Sequence, residues 1–317
     1  MNKHKTKGKR GGSMRSFASF HPIILFLYYV FVVIITVFMM HPFILVCSVI
    51  GSLSFYYMVT KRTQFWRDIG FYILVFLLIA ITNPIFVHKG ETILFFYNDH
   101  PVTFEAIMYG IVIATMLIAI IFWSKAYSYM MTSDKFVYLF GKTIPKLSLV
   151  LSMALKFIPL FKAQIKKVNA TQRTLGLYTS DSMTDRILSG IRTFNSILTW
   201  SLENAIHQAD AMKARGYGLK GRTNFSIFTF QKRDGLALVF ILVLFLVTMI
   251  AYINGTFQFF YYPLIDNFTV SKENMVQLII VFLLFVFPFI YEVKEHIQWK
   301  LLQSKMSASP IQMQMKK

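Results

Sequence analysis

The chain has few charged residues and almost no cysteine. Only 15% of its 317 residues are charged, and none of these lies between Phe17 and Thr60. With 56% hydrophobic residues, such a composition excludes an ordinary soluble domain. A single cysteine, Cys47, excludes an intramolecular disulfide framework and a metal cluster built on several thiolates. The composition therefore predicts a helical membrane protein.

Long uncharged segments predict about six transmembrane helices in an all-α, polytopic fold. The segment from Phe17 to Thr60 can cross a hydrocarbon core of about 30 Å twice, at about 1.5 Å per helical residue. Its break is expected at His41 and Pro42, because proline ends one helix and opens the next. Four further spans are predicted at residues 69–87, 102–123, 236–252 and 275–291.

Acidic residues are scarce, and the basic residues are unevenly distributed. The chain has 33 Lys and Arg against 14 Asp and Glu. Basic residues concentrate before residue 17, in the loop 61–67 and after residue 293, whereas the loops 89–99 and 266–273 are near neutral or acidic. The positive-inside rule then places both termini in the cytoplasm. Contact with anionic lipid accounts for the net charge of +19, so nucleic acid is not an expected partner.

These patterns divide the chain into five parts. The insert between the fourth and fifth spans stands out because Lys and Arg recur throughout it and its apolar residues follow helical spacing. The predicted parts are a basic cytoplasmic N terminus (1–20), four spans (21–123), a cytoplasmic helical domain (124–233), the C-terminal spans (234–293) and a basic cytoplasmic tail (294–317).

Three helices are predicted in the insert, over about 126–140, 148–174 and 189–216, with stops at Gly141, Gly176 and Gly216. The third helix carries one apolar stripe, and the second has a similar stripe. We expect these two stripes to face each other and the membrane spans. The stripe of the third helix consists of Ile191, Phe194, Leu198, Leu202, Ala205, Ala209 and Met212.

The second and third helices share an ending, since Arg173 and Arg215 each lie in a last turn. A cation at the negative end of a helix dipole, worth about 0.3–1 kcal/mol, is one explanation. The other is docking, in which a guanidinium enters a groove of a partner and binds a carboxylate through two parallel hydrogen bonds. The small residues Ala214 and Gly216 would give Arg215 the clearance that docking needs.

Two segments resemble a known family, the transmembrane T component of energy-coupling factor transporters, which are ATP-driven importers of vitamins and transition-metal ions such as cobalt or nickel. The segments are LSMALKFIPLFKAQIKKVNATQRTLG, residues 151–176, and TWSLENAIHQADAMKARGYGLKGRT, residues 199–223. In that family, two X-Arg-X motifs dock into two ATPase subunits. The resemblance implies that the ATPase-coupling residues here are Gln172, Arg173, Thr174, Ala214, Arg215 and Gly216.

The resemblance also implies the partners and the location of the chain. Two ABC-type ATPase subunits would bind ATP, and a separate substrate-binding membrane subunit, the S component, would carry the cargo. The chain itself would be a non-catalytic scaffold without a cofactor of its own. It would lie in the bacterial plasma membrane as a multi-pass protein in contact with the lipid bilayer.

The sequence contains no convincing catalytic, nucleotide or metal motif. Gly141-Lys142-Thr143 lacks the glycine that a phosphate-binding loop needs five residues earlier, where Phe136 stands. Glu203, His207 and Asp210 could share a helical face, which permits a metal site. A plain contact between Glu203 and His207, four residues apart, is the simpler interpretation. No catalytic, cofactor-binding or metal-binding residue is predicted.

Two other classes of function remain open at this point. The chain could be a self-contained permease or channel whose cytoplasmic helices are regulatory. A membrane-bound enzyme is a third possibility, although no nucleophile, base and metal occur together. The sequence does not identify a transported substrate.

Overall fold

The computed structural model describes residues 17–97, 100–141, 144–176, 183–217, 219, 228–266 and 272–307. In these ranges the chain forms nine α-helices, one short 3-10 helix at Phe17–Ser19 and one pair of strands. The elements in order are α1 (Pro22–Phe38), α2 (Pro42–Val59), α3 (Arg62–Phe86), β1 (Ile93–Tyr97), β2 (His100–Thr103), α4 (Phe104–Met130), α5 (Ser133–Gly141), α6 (Pro145–Thr174), α7 (Met183–Ala214), α8 (Lys232–Ile253) and α9 (Lys272–Ser307).

The contacts within the chain divide it into two compact units. The membrane unit comprises the described residues of Met1–Thr132 and Phe230–Lys317, and the insert unit comprises those of Ser133–Thr229. The membrane unit contains α1 to α4, the two strands, α8 and α9, and the insert unit contains α5, α6 and α7.

The prediction of an all-α, polytopic membrane protein is confirmed. Six helices in the described part of the chain are long and apolar enough to span a membrane, but they are not the six that were predicted. Helix α1 has 17 residues, about 25 Å of helix, so it is a shorter apolar helix at the lower limit of the range for a span. Helix α6 qualifies instead, with the lowest hydropathy of the six. Its cytoplasmic position therefore stays a prediction.

Several helix ends differ from the predicted ones because charged residues are accommodated at the ends of the apolar helices. Helix α3 begins at Arg62, α4 continues to Met130, and α9 extends to Ser307. The helix predicted over 126–140 is divided between α4 and α5, with the break before Ser133 and Asp134. Ser and Asp are residues that favour the start of a helix, which explains the break.

An ion pair joins α3 to α4 at one end of the membrane unit. The Lys125 ammonium lies 2.6 Å from Asp68 Oδ2, and the Tyr56 hydroxyl donates to the same oxygen over 2.5 Å. The ammonium also lies 4.5 Å from the centre of the Tyr72 ring, a cation–π contact. Lys125 was predicted to lie in the insert, at 124–233, whereas it lies within α4.

The core of the membrane unit is aromatic and tightly packed. Phe17 is fully buried, with its ring 5.5 Å from that of Tyr28 and 5.7 Å from that of Phe55. Helices α2 and α9 approach so closely that a Cβ on Gly51 would lie 2.8 Å from the carbonyl oxygen of Phe285. Any larger residue at position 51 must therefore push the two helices apart.

Candidate functional site

The insert unit is held together by a polar seam between α6 and α7. The Ser189 hydroxyl donates to Gln172 Oε1 over 3.0 Å, and the Thr193 hydroxyl donates to Asn169 Oδ1 over 3.0 Å. Further along, the rings of Phe161 and Trp200 meet edge to face at 5.7 Å. Since the partners on α7 rise in number as those on α6 fall, the two helices run antiparallel along this polar seam.

The apolar stripe of α7 does not take part in the polar seam. Phe194 and Leu202 are 64% and 60% exposed, and Ile191 and Leu198 are also exposed. The prediction that this stripe faces α6 is therefore wrong. The spacing of apolar residues defined the stripe correctly, but α6 packs on the neighbouring polar row of α7. The insert unit therefore leaves this apolar surface of α7 exposed instead of burying it against α6.

The C terminus of α7 fixes the backbone around Arg215. The Tyr217 N–H donates to Met212 O over 3.0 Å and the Gly216 N–H donates to Lys213 O over 2.9 Å, which is the Schellman pattern. Gly216 has a φ of +74°, a conformation that side chains disfavour. Arg215 is thus the capping residue. Gly216 is needed for the left-handed backbone of the cap, in addition to the space that it leaves around Arg215.

Helix α6 ends in a related way, with its arginine at another position. Gly176 has a φ of +68°, and its N–H donates to Arg173 O over 3.1 Å. Arg173 precedes its glycine by three residues, whereas Arg215 immediately precedes Gly216. A shift of two residues turns a side chain by about 200° around a helix. The two arginines are therefore not presented in equivalent geometry.

The two arginine-bearing ends lie far apart in the insert unit. Gln172, next to Arg173, is bonded to Ser189 near the start of α7, and Arg215 follows the last residue of α7. From Ser189 to Ala214, α7 extends about 38 Å. This distance exceeds the diameter of a small domain. One small globular partner could not cover both ends.

The structure separates the six predicted coupling residues into two groups. Gln172, Arg173 and Thr174 lie at one end, and Ala214, Arg215 and Gly216 at the other. Gln172 is only 6% exposed and bonds within the unit, so its side chain faces α7. Arg173, Thr174, Ala214 and Arg215 are exposed, and Gly216 is half-buried.

The other candidate residues from the sequence make few contacts with one another in the described part of the chain. His207 Nε2 lies 3.9 Å from Glu203 Oε1, and both side chains are largely exposed. In the described residues, no group of three His, Cys, Asp or Glu side chains could hold a metal ion. Lys142 and Thr143 of the Gly-Lys-Thr triplet lie outside the described residues.

Sequence reasoning missed the residues of the polar seam. Asn169 and Gln172 are three residues apart on α6, and Ser189 and Thr193 are four apart on α7. Polar residues at such spacing share one helical face, which is a readable signal. The apolar stripes are the stronger signal in these two helices, and they do not include the residues of the polar seam.

Fold and geometry define a multi-pass helical membrane protein with an amphipathic insert that presents two arginine-bearing helix ends. Comparison with known proteins identifies the family to which the chain belongs within this class. The profile of the CbiQ family, described as cobalt transport protein, matches residues 14–227. The chain belongs to this family.

Similar proteins carry the name energy-coupling factor transporter transmembrane protein EcfT. The one from Staphylococcus aureus is 26% identical over 242 residues, covering 72% of this chain and 90% of the relative. The one from Brevibacillus brevis is 27% identical, covering 65% of this chain and 79% of the relative. A third, from Listeria innocua, is 34% identical over 32% of this chain and 39% of the relative. The chain is accordingly a T component of an energy-coupling factor transporter.

Proposed function

We propose that the chain couples ATP hydrolysis by two partner ATPase subunits to the movement of a separate substrate-binding membrane subunit. Arg173 and Arg215 each dock into one ATPase subunit, together with their neighbours Gln172, Thr174, Ala214 and Gly216. The cargo is a vitamin or a transition-metal ion. The chain binds no ATP and has no cofactor, and its insert unit lies in the cytoplasm.

The separation of the two arginine-bearing ends is the observation that carries this proposal. Because about 38 Å of α7 lies between them, each end can meet a different globular subunit. An exposed arginine can pair with a carboxylate in a groove through two parallel hydrogen bonds. When nucleotide binding brings two such grooves together, the helices that connect them must move as well.

The exposed apolar stripe of α7 supports the second half of the proposal. A helix that pairs through polar residues while Phe194, Leu198 and Leu202 remain exposed has a face available for another protein. The apolar residues of this face recur every three or four positions, a spacing that fits an apolar partner sliding along the helix. We assign it to the substrate-binding membrane subunit.

The test is a charge reversal at Arg215 with a matched control at Lys213. Both residues are exposed and lie in the last turn or cap of α7, two positions apart. Arg215→Glu is expected to abolish co-purification of the ATPase subunit that docks at this end, since a misplaced charge in a docking groove costs several kcal/mol. Lys213→Glu is expected to retain most of the association, because it changes the net charge equally without touching the motif.

Two results would contradict the docking role. Retention of both ATPase subunits by Arg215→Glu at ordinary salt would remove Arg215 from the interface. Equal losses in Arg215→Glu and Lys213→Glu would reduce the effect to general electrostatics. Circular dichroism and gel filtration of each purified chain establish that the spans are folded.

A further inference from the structure

An apolar β-strand lies exposed where α3 ends and α4 begins. Four consecutive residues of β1 are large and apolar, and each is at least half exposed: Ile93, Leu94, Phe95 and Phe96. Successive side chains of a strand point to opposite faces, so both faces of β1 are apolar. A strand of this kind in water would be an aggregation site.

The strand is held firmly at its base. The Phe104 N–H donates to Thr92 O over 2.9 Å, and the Thr103 hydroxyl donates to Lys89 O over 2.8 Å. The Thr92 amide and hydroxyl both donate to Glu105, whose side chain is buried with only 2% exposure. A Cβ on Gly90 would lie 2.5 Å from Glu105 Oε2, so the loop closes around the carboxylate. These contacts fix the base of the strand, in addition to its antiparallel pairing with β2.

The connections of the hairpin restrict how deep it can lie in the membrane. Strand β2 leads directly into α4, so no residue of β2 lies more than about 13 Å from the start of that helix. Helix α4 has 27 residues, about 40 Å, and therefore extends beyond a core of about 30 Å. The hairpin consequently lies close to the boundary between hydrocarbon and headgroups.

The surface beside this strand is apolar and exposed within the chain, as expected for a surface that faces lipid. Only 6% of the apolar window of α3 is buried within the chain, and Ile85 and Phe86 at its end are exposed. The apolar surface of β1 continues this lipid-facing surface past the end of the helix. The hairpin cannot enter the hydrocarbon itself, because the outer edge of a two-stranded sheet has unpaired backbone groups. Headgroups and water can satisfy those groups at the interface.

We infer that β1 is an interfacial membrane anchor, which inserts Ile93 to Phe96 among the phospholipid headgroups and upper acyl chains. The inference is independent of the docking role of the arginines. The anchor fixes the end of the α3 and α4 pair at the membrane surface.

The test uses fluorescent labels on the full chain in lipid nanodiscs. In a Cys47→Ala background, Phe95→Cys and Phe96→Cys place an environment-sensitive dye on opposite faces of β1, and Lys89→Cys serves as the loop control. Both strand labels are expected to show blue-shifted emission and a larger loss of fluorescence with a nitroxide lipid labelled near the headgroup than with one labelled near the chain end. The Lys89 label is expected to be quenched by aqueous iodide.

Three outcomes would overturn the anchor. Iodide quenching of either strand label as strong as that of the Lys89 label would place the strand in water. Stronger quenching by the deep nitroxide would place it in the hydrocarbon. Loss of lipid quenching once the ATPase and substrate-binding subunits are assembled would make the strand a protein interface.

Discussion

At the scale of single residues, one glycine decides how Arg215 is presented. Gly216 adopts a left-handed conformation that closes the Schellman pattern, and Arg215 is the capping residue before it. The docking interpretation requires a small residue next to Arg215, and the left-handed backbone at position 216 requires glycine there as well. A side chain at position 216 strains the backbone directly after the arginine.

Gly216→Ala should loosen the last turn of α7. A side chain in the left-handed region costs about 1–2 kcal/mol, which corresponds to about 5–30-fold faster local opening. The measurement is amide hydrogen exchange of Arg215 to Tyr217 in the purified chain. The new Cβ would approach only the movable tip of Leu219, at 3.1 Å, so backbone strain dominates the expected effect.

Gly190→Ala is the matched control within the same helix. Gly190 lies in the interior of α7, and a Cβ there meets no atom within 4 Å. Alanine should stabilise the helix at this position by about 0.5–1 kcal/mol and slow exchange nearby. Unchanged exchange around Arg215 in Gly216→Ala would show that the cap does not hold the turn.

At the scale of elements, the insert pairs its helices through two hydrogen bonds and one aromatic contact and leaves the apolar stripe of α7 exposed. Burial of Phe194 and Leu202 against α6 would have stabilised an isolated pair more than two hydrogen bonds do, since each net hydrogen bond contributes about 1 kcal/mol. The pairing is consequently modest in strength. Such a pair can change its crossing when force is applied at its ends.

Gln172→Ala and Ser189→Ala should show a coupling of about 0.5–1.5 kcal/mol in a double-mutant cycle. The measurement is the free energy of unfolding of the insert, followed by hydrogen exchange of α6 and α7. Thr199→Ala provides the control, because the Thr199 hydroxyl bonds to Asn195 O of its own helix. Gln172→Ala and Thr199→Ala should therefore be additive.

Additivity of Gln172→Ala and Ser189→Ala to within about 0.3 kcal/mol would contradict the polar seam. Gln172 would then be available to a partner, as the sequence motif suggested.

The sequence predicted the helices of the insert and their stops better than their contacts. Gly176 and Gly216 follow the ends of α6 and α7 as expected, because left-handed caps favour glycine. The choice of face was not predictable from one sequence, since apolar spacing defines a stripe but not its neighbour. The hairpin was missed because residues 89–99 were assigned as a loop between two strong apolar spans.

At the scale of the whole molecule, the basic residues converge on one end of the membrane unit. The start of α3 carries Arg62 and Arg67, the start of α8 carries Lys232 and Arg233, and α9 continues past Lys300. The Arg233 guanidinium donates to Ser19 O, and the Phe17 N–H donates to Glu292. The Phe17 ring contacts that of Phe55 near the start of α3, so the three segments lie at the same end. The pattern agrees with the positive-inside expectation and so with a cytoplasmic insert, which remains a prediction.

In the proposed function, this chain transmits force and does not transport solute by itself. That function requires ATPase subunits on the arginine-bearing ends and a substrate-binding subunit in the membrane. A self-contained permease would require neither. The difference concerns the complete complex, so single variants of the chain address it only indirectly.

The most direct measurement is solute uptake by proteoliposomes that hold the chain alone, the chain with its ATPase subunits, or the complete set including the substrate-binding subunit. Uptake is expected only with the complete set and ATP, and it should be lost when Arg215→Glu replaces the native chain. Uptake by the chain alone, without accessory subunits or ATP, would contradict the account.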